Sequence, residues 1–393
     1  MDKKDVSVSL RPDKIIKPRP DRIVHLIDSM AGGGTQEFLL NYLSLSRMTH
    51  CEHYVIQLTS DNDFPEELKK LGCRHITINH RSNSNLWKMN PWYIVKAYRI
   101  IRNIKPDLLH ARLYLSLIYA PILMCTVNIR HILYTIEGSF SQMSHVHKLI
   151  MKLLLPRFRY VFTGYPREYD GADLPKKKLK PYKYCLVFED RKNSNMDRPF
   201  QHLRNGGPNI ASVGRLHSDK GHLYAIDAVK QLKCTYPDIQ LYIAGSGSHE
   251  KELKQRVKEL KLEDNVIFCG FVHQIKKFWR KMDVGLQCSV NENLNLSSLW
   301  ALHEGVPVVK FDVPGMDEQQ ILVKYEMGLI ADYLSVNSLI FNITKLLNSP
   351  TLKKDYSQNA KNYIRTHFNA IEGAVYYDTI YSSLLSEDNI CVA

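Results

Sequence analysis

At 393 residues the chain exceeds the ~100–200 residues of one ordinary domain and is expected to hold two. Its 44% hydrophobic and 24% charged residues, with 19 Gly and 17 Pro, exclude collagen-like, low-complexity and wholly disordered classes. The net charge of +13 is one-sided, because residues 1–200 carry 32 basic and 19 acidic side chains while 201–393 carry 21 of each.

Residues 1–20 are polar, charged and Pro-containing, and read as a flexible arm. From Arg22 the pattern alternates short apolar strands (22–28, 53–59, 75–79, 107–111, 131–136, 160–163) with amphipathic helices, which predicts a parallel, doubly wound sheet over 21–190. Polar residues 191–208, with Pro199 and a Gly-Gly-Pro end, read as a linker. The alternation restarts over 209–368, with strands at 209–214, 239–244, 266–269, 284–288 and 307–311 and helices at 222–235, 249–261, 274–282, 296–304, 335–348 and 351–366. A last helix at 370–386, in the tail 369–393, is expected to pack back toward the N-terminal domain. The fold class is therefore α/β, with two doubly wound Rossmann-like domains facing across a cleft at the carboxyl ends of their strands.

The longest uncharged stretch, Leu113 to Ile129, is 17 residues long and contains Pro121, too short for a membrane span and read as a buried helix. No apolar run precedes Arg22, so a cytoplasmic location is expected. Eight dispersed cysteines without a CxxC pair imply reduced, mostly core thiols. Between Lys148 and Lys192 ten cations occur among aromatics and leucines. An anionic membrane surface or a lipid-linked diphosphate fits this stretch, a solvated loop is the alternative, and no nucleic-acid motif accompanies the charge.

Two constellations carry chemistry. Gly214, Arg215 and Lys220 lie on the loop leaving the first strand of the second domain, where a forked guanidinium and a mobile ammonium suit a diphosphate. Glu292 precedes a helix that begins near Asn295. The free amides of its first turn suit an anion, and the carboxylate suits sugar hydroxyls.

These motifs in order, with Ile243–Ser248, Gly305-x-Pro-Val-Val and Pro314-Gly-x2-Glu318, resemble the donor half of the retaining glycosyltransferases of family 4, which have the GT-B fold. In the first domain, Gly32-Gly33-Gly34-Thr35 and Pro106-Asp-x2-His110-x-Arg112 resemble that family's Gly-Gly loop and Pro-Asp-x2-His-x-His segment. The resemblance implies that Arg215, Lys220, Glu292 and Glu137 serve catalysis. It implies further that Gly33, Gly34, Thr35, Gly214, Asn293, Leu294, Asn295, Leu296 and Ser297 line the donor site, and that His110 and Arg112 lie on the acceptor side. The implied partners are a nucleotide-sugar donor and a polysaccharide, glycolipid or lipid-linked acceptor, with no further cofactor. The one Asp-x-Asp, Asp61 to Asp63, is assigned no metal.

Three positions depart from the family pattern: Trp300 replaces the second acid of the Glu-x7-Glu pair, Glu137 replaces a cleft histidine, and Glu189-Asp190 replaces an Asn-Gly turn. Indole cannot accept from ribose hydroxyls. Glu304, one helical turn on, is the expected substitute, and Arg112 is expected to compensate Glu137. Two readings follow, an active transferase or a degenerate member acting as a partner or regulatory subunit.

Overall fold

The computed structural model describes residues 19–30, 33–60, 64–78, 91–136, 143–164, 176–189, 206–290, 292, 295–314 and 320–386. The first domain runs β1 (Arg22–Ile27), α1 (Gly34–Leu45), β2 (Glu52–Gln57), α2 (Pro65–Lys70), β3 (Arg74–Thr77), α3 (Pro91–Ile104), β4 (Leu108–Arg112), α4 (Tyr114–Thr126), β5 (His131–Ile136), α5 (His145–Leu154), β6 (Tyr160–Thr163) and β7 (Leu179–Pro181). Its seven strands are parallel in the order β3-β2-β1-β4-β5-β6-β7. The second domain runs β8 (Asn209–Val213), α6 (His222–Leu232), β9 (Gln240–Ala244), α7 (Glu250–Glu259), β10 (Val266–Gly270), α8 (Ile275–Trp279), β11 (Val284–Gln287), α9 (Leu296–His303), β12 (Val308–Phe311), α10 (Gln320–Lys324), β13 (Gly328–Ala331), α11 (Val336–Leu347), α12 (Pro350–His367) and α13 (Ala370–Ser386). Its six parallel strands lie in the order β10-β9-β8-β11-β12-β13. Both orders reverse beside the first strand of their domain, which is where open sheets leave a ligand crevice.

Alternation along each strand sorts side chains between two covered faces. In β1, Val24 and Leu26 join the core under α3, α4 and α5, whereas Ile23 and Ile27 join Phe38, Leu39 and Tyr42 of α1. The same second face receives Ala374, Tyr377, Tyr381 and Leu384 from α13, so the final described helix packs in the N-terminal domain. In the second sheet, Ile210, Leu241 and Ile243 face α6, α7 and α11, while Ala211, Tyr242 and Ala244 face Trp279, Leu302 and Tyr363.

Several local features differ from the sequence reading. The short edge strands β7 and β13 were not expected, and α8 ends earlier than the 274–282 pattern suggests. Arg19, inside the expected flexible arm, is held by Asp107, with guanidinium-to-carboxylate distances of 2.7 and 3.1 Å. Among the described residues Cys185 and Cys288 are buried as expected, Cys51, Cys73 and Cys269 are partly buried, and Cys125 and Cys234 are exposed. The uncharged stretch forms α4, and no helix among the described residues is long and apolar enough to cross a membrane. Residues 191–205 of the expected linker lie outside the described residues.

Candidate donor and acceptor site

The loop from β8 to α6 is shaped by close backbone contacts. Gly214 N–H donates to the Ala244 carbonyl at 2.9 Å and Leu216 N–H to the Ser246 carbonyl at 2.9 Å, which seats the loop on the β9–α7 connection. Gly221 has φ +65°, and a Cβ there would lie 1.9 Å from the Cys288 carbonyl oxygen, so only glycine lets α6 start against the end of β11. Beneath this loop His222 is buried. Its Nδ1 accepts from the Ser212 hydroxyl at 2.8 Å and its Nε2–H reaches the Arg215 carbonyl at 3.2 Å. Burial, with lesser help from Lys220 and His249, lowers its pKa to about 4. A neutral imidazole therefore fixes the Arg215 backbone while the Arg215 side chain stays exposed.

From this loop Lys220 Nζ reaches Glu292 Oε2 at 2.7 Å, the central ion pair of the site. The same carboxylate oxygen accepts from Ser289 Oγ at 2.9 Å and from Asn295 Nδ2 at 3.2 Å. Asn295 also caps α9, its Oδ1 accepting from Ser298 N–H at 2.7 Å, so one residue orients both the carboxylate and the helix start. Lys310, fully buried on β12, brings Nζ to 3.5 Å from the Glu292 carbonyl. Neither His222 nor Lys310 was singled out from the sequence. His222 adjoined a recognised motif, whereas Lys310 lay inside an apolar strand pattern that gives no sign of a charge at the site.

The N-terminal domain meets this cluster through α1. A Cβ on Gly34 would lie 3.9 Å from Leu296 Cβ, so the first turns of α1 and α9 face each other across the domains, with Gly33 at the N-cap of α1. Thr35 is buried and Ser297 half-buried in those turns. Two helix starts and the Arg215–Lys220 loop thus converge, a concentration of amides and cations suited to a bound anion.

The other expected residues are placed elsewhere. His110 and Arg112 are fully buried inside the N-terminal domain instead of facing the cleft. His110 contacts the Tyr381 hydroxyl through Nδ1 and Thr135 Oγ1 through Nε2 at 2.8 Å. Arg112 donates to Thr135 Oγ1 at 3.3 Å and lies 4.4 Å from the Phe38 ring centroid. Burial first, then the Arg112 charge, holds the His110 pKa well below its usual value. The cause of their burial is α13, which covers both. Glu304 is likewise committed away from the cluster: at the far end of α9 its carboxylate pairs with Arg280 at 2.6 Å and with His303 at 2.8 Å. It borders an open hollow of about 660 Å³ that includes Lys276 and Lys361. Trp300 packs edge-on to Phe188, ring centroids 5.0 Å apart. Glu137, Asn293, Leu294, Asp190 and the Asp61–Asp63 segment lie outside the described residues.

Comparison with known proteins agrees with this architecture. A family model described as glycosyl transferases group 1 matches residues 194–363, and one described as glycosyl transferase 4-like matches 38–164. An uncharacterized glycosyltransferase of Haemophilus influenzae is 30% identical over 153 residues, 39% of this chain and 43% of the relative. The N-acetylgalactosamine-N,N'-diacetylbacillosaminyl-diphospho-undecaprenol 4-alpha-N-acetylgalactosaminyltransferase of Campylobacter jejuni is 31% identical over 152 residues, 39% of this chain and 40% of the relative. The matched segments span less than half the length of these relatives. The crystal structure of Anabaena Alr3699/HepE in complex with UDP-glucose superposes with a TM-score of 0.77 at 19% identity over 92% of this chain and 99% of that one. The chain has the GT-B fold.

Proposed function

We propose that the chain is a glycosyltransferase that moves a sugar, with retention, from a nucleoside-diphosphate donor to a lipid-linked or polymeric glycan acceptor. The observation that carries this reading is the Lys220–Glu292 ion pair set where the first turns of α1 and α9 approach at Gly34 and Leu296. Departure of a nucleoside diphosphate develops negative charge, and fixed amides with Arg215 and Lys220 stabilise it without reorganising. Glu292, oriented by Ser289 and Asn295, is placed to accept from hydroxyls of the transferred sugar. The solved relative named as a UDP-glucose complex, and the Campylobacter relative named for a diphospho-undecaprenol substrate, support a nucleotide-sugar donor and a lipid-linked acceptor. The same reading has the enzyme act in the cytoplasm, peripheral to an anionic membrane. Calorimetry tests the core of it. Nucleoside diphosphates should bind at least about tenfold more tightly than nucleosides, and Arg215→Ala with Lys220→Ala should erase the difference, since charge-assisted phosphate contacts contribute roughly 1.5–3 kcal/mol each. Equal binding of nucleoside and diphosphate by the unaltered protein overturns it.

A further inference from the structure

The three helices α3, α4 and α5 lie side by side over one face of the N-terminal sheet, α4 touching both neighbours. Their sequences, PWYIVKAYRIIRNI, YLSLIYAPILMCT and HVHKLIMKLL, contain no Asp or Glu and carry Lys96, Arg99, Arg102, Lys148 and Lys152. Their outer surface is also apolar to a degree that the sheet does not require. Trp92 is 60% exposed, Leu149 59% and Leu153 60%, with Val95, Ile122 and Val146 exposed beside them.

The spacing orders these groups. On α5, Val146, Leu149 and Leu153 recur at i, i+3 and i+7 and form a ridge, with Lys148 and Lys152 displaced to one flank. On α3, Trp92, Val95, Arg99 and Arg102 follow the same spacing, apolar in the first turns and cationic in the last ones, and the Arg99 guanidinium lies 5.4 Å from the Trp92 ring centroid. In a parallel doubly wound sheet the helix starts lie at the carboxyl ends of the strands, so Trp92 and Val146 sit at the cleft end of the layer.

We propose that this α3–α4–α5 face docks on an anionic lipid bilayer, with Trp92, Val146, Leu149 and Leu153 entering the headgroup–acyl boundary and the flanking Lys and Arg meeting anionic headgroups. An apolar ridge beside a cationic flank is the pattern of an interfacial helix. A second copy of the chain is disfavoured as the occupant, since an isologous contact would set Arg99, Arg102, Lys148 and Lys152 against the same four cations with no carboxylate from these helices between them, Lys96 being turned in to the Ile78 carbonyl at 3.0 Å. Of the basic stretch 148–192, this face keeps Lys148 and Lys152 and not the lysines at 176–180. Lys178 of that run is engaged with the Pro156 and Phe158 carbonyls at 2.6 and 3.1 Å, and Lys180 lies 4.6 Å from the Tyr160 ring centroid. That the docked face presents a lipid-linked acceptor to the cleft rests on the transferase reading, whereas the lipid contact itself does not.

Flotation of the full chain with vesicles of phosphatidylcholine, and of equal parts phosphatidylcholine and phosphatidylglycerol, tests the proposal without donor or acceptor. Binding should require phosphatidylglycerol and weaken as salt rises. Leu149→Ser with Leu153→Ser should lower the partition on the order of tenfold or more, and Trp92 fluorescence should be quenched by brominated lipid. Phe341→Ser, a 68% exposed position on the other domain, should change nothing. Thermal melting and diphosphate titration on the same proteins keep the fold and the donor site separate from the lipid contact. Absence of binding to anionic vesicles overturns the proposal, as does binding untouched by the leucine pair but lost with Lys176→Gln, Lys177→Gln and Lys180→Gln. A lipid-free dimer dissolved by the leucine substitutions also overturns it, in favour of self-association.

Discussion

His222, buried between the Ser212 hydroxyl and the Arg215 carbonyl, is held neutral chiefly by that burial, and this sets a pH dependence. Its folded pKa of about 4 lies below the usual value of 6.5, so between those limits the unfolded chain binds a proton that the folded one excludes. The stabilisation is therefore fully present above the unfolded pKa and is lost as pH falls through this window, to a total of about 3 kcal/mol. Urea midpoints should fall as the pH drops from neutral toward the lower limit, and His222→Gln should flatten that slope by about one proton. An unchanged slope would show that the histidine is not held neutral. Trp300 supports a second expectation. With the indole against Phe188 and Glu304 paired to Arg280, no carboxylate among the described α9 residues meets the Glu292 cluster, so ribose hydroxyls gain little there. A nucleoside diphosphate that binds and its 2′-deoxy counterpart should bind within about threefold of one another, and Trp300→Glu should favour the ribonucleotide by ~1 kcal/mol in the same titration. Lys220 and Glu292, which the structure brings together, were marked in the sequence because each sits in a short motif on a loop that leaves a strand. The surroundings of His110, Arg112 and Glu304 were not: the last helix was expected to return to the first domain, but no local pattern says that its Tyr381 meets His110, or that Arg280, just past α8, pairs with Glu304.

The strands and helices were mostly readable from apolar periodicity, because both sheets are parallel and covered on two sides. The exceptions, β7 and β13, are edge strands: β7 has three residues with Lys180 at its centre and Pro181 at its end, and β13 opens on Gly328, so neither stands out as an apolar run. The contact between loops was invisible for a different reason: it depends on backbone approach at glycines. Gly221 and Gly270 share φ +65°, yet a Cβ at Gly221 meets the Cys288 carbonyl and one at Gly270 meets nothing within 4 Å. Gly221→Ala combines left-handed strain with a backbone collision and should cost about 2–4 kcal/mol, displacing Lys220 and weakening diphosphate binding with it. Gly270→Asn, which bears only the strain, should cost about 1 kcal/mol or less and leave binding intact. Equal losses in thermal melting for the two would remove the collision from the account.

At the scale of the whole molecule, α13 joins the second domain's chain to the first domain's core. Asp378 on α13 accepts from Tyr42 Oη at 2.9 Å, Ser46 Oγ at 2.7 Å and Arg47 N–H at 2.7 Å, which clamps α13 to the end of α1. Asp378→Ala removes all three partly buried bonds and should destabilise the N-terminal domain by about 2–4 kcal/mol, while diphosphate binding at Lys220 persists. Hydrogen exchange should then rise in β1, β4 and α1 and not in β8 or α6, and uniform loosening of both domains would contradict the clamp. The same helix also imposes an order on synthesis. Roughly 190 residues separate Pro181 from Ala370, and at the 5–20 residues per second typical of translation the first sheet waits on the order of ten to forty seconds for the helix that covers it. During that interval the His110 and Arg112 face, with Phe38 and Phe162, stands without its cover on the ribosome. That apolar face is thus left open on the nascent N-terminal half until nearly all of the chain has been made.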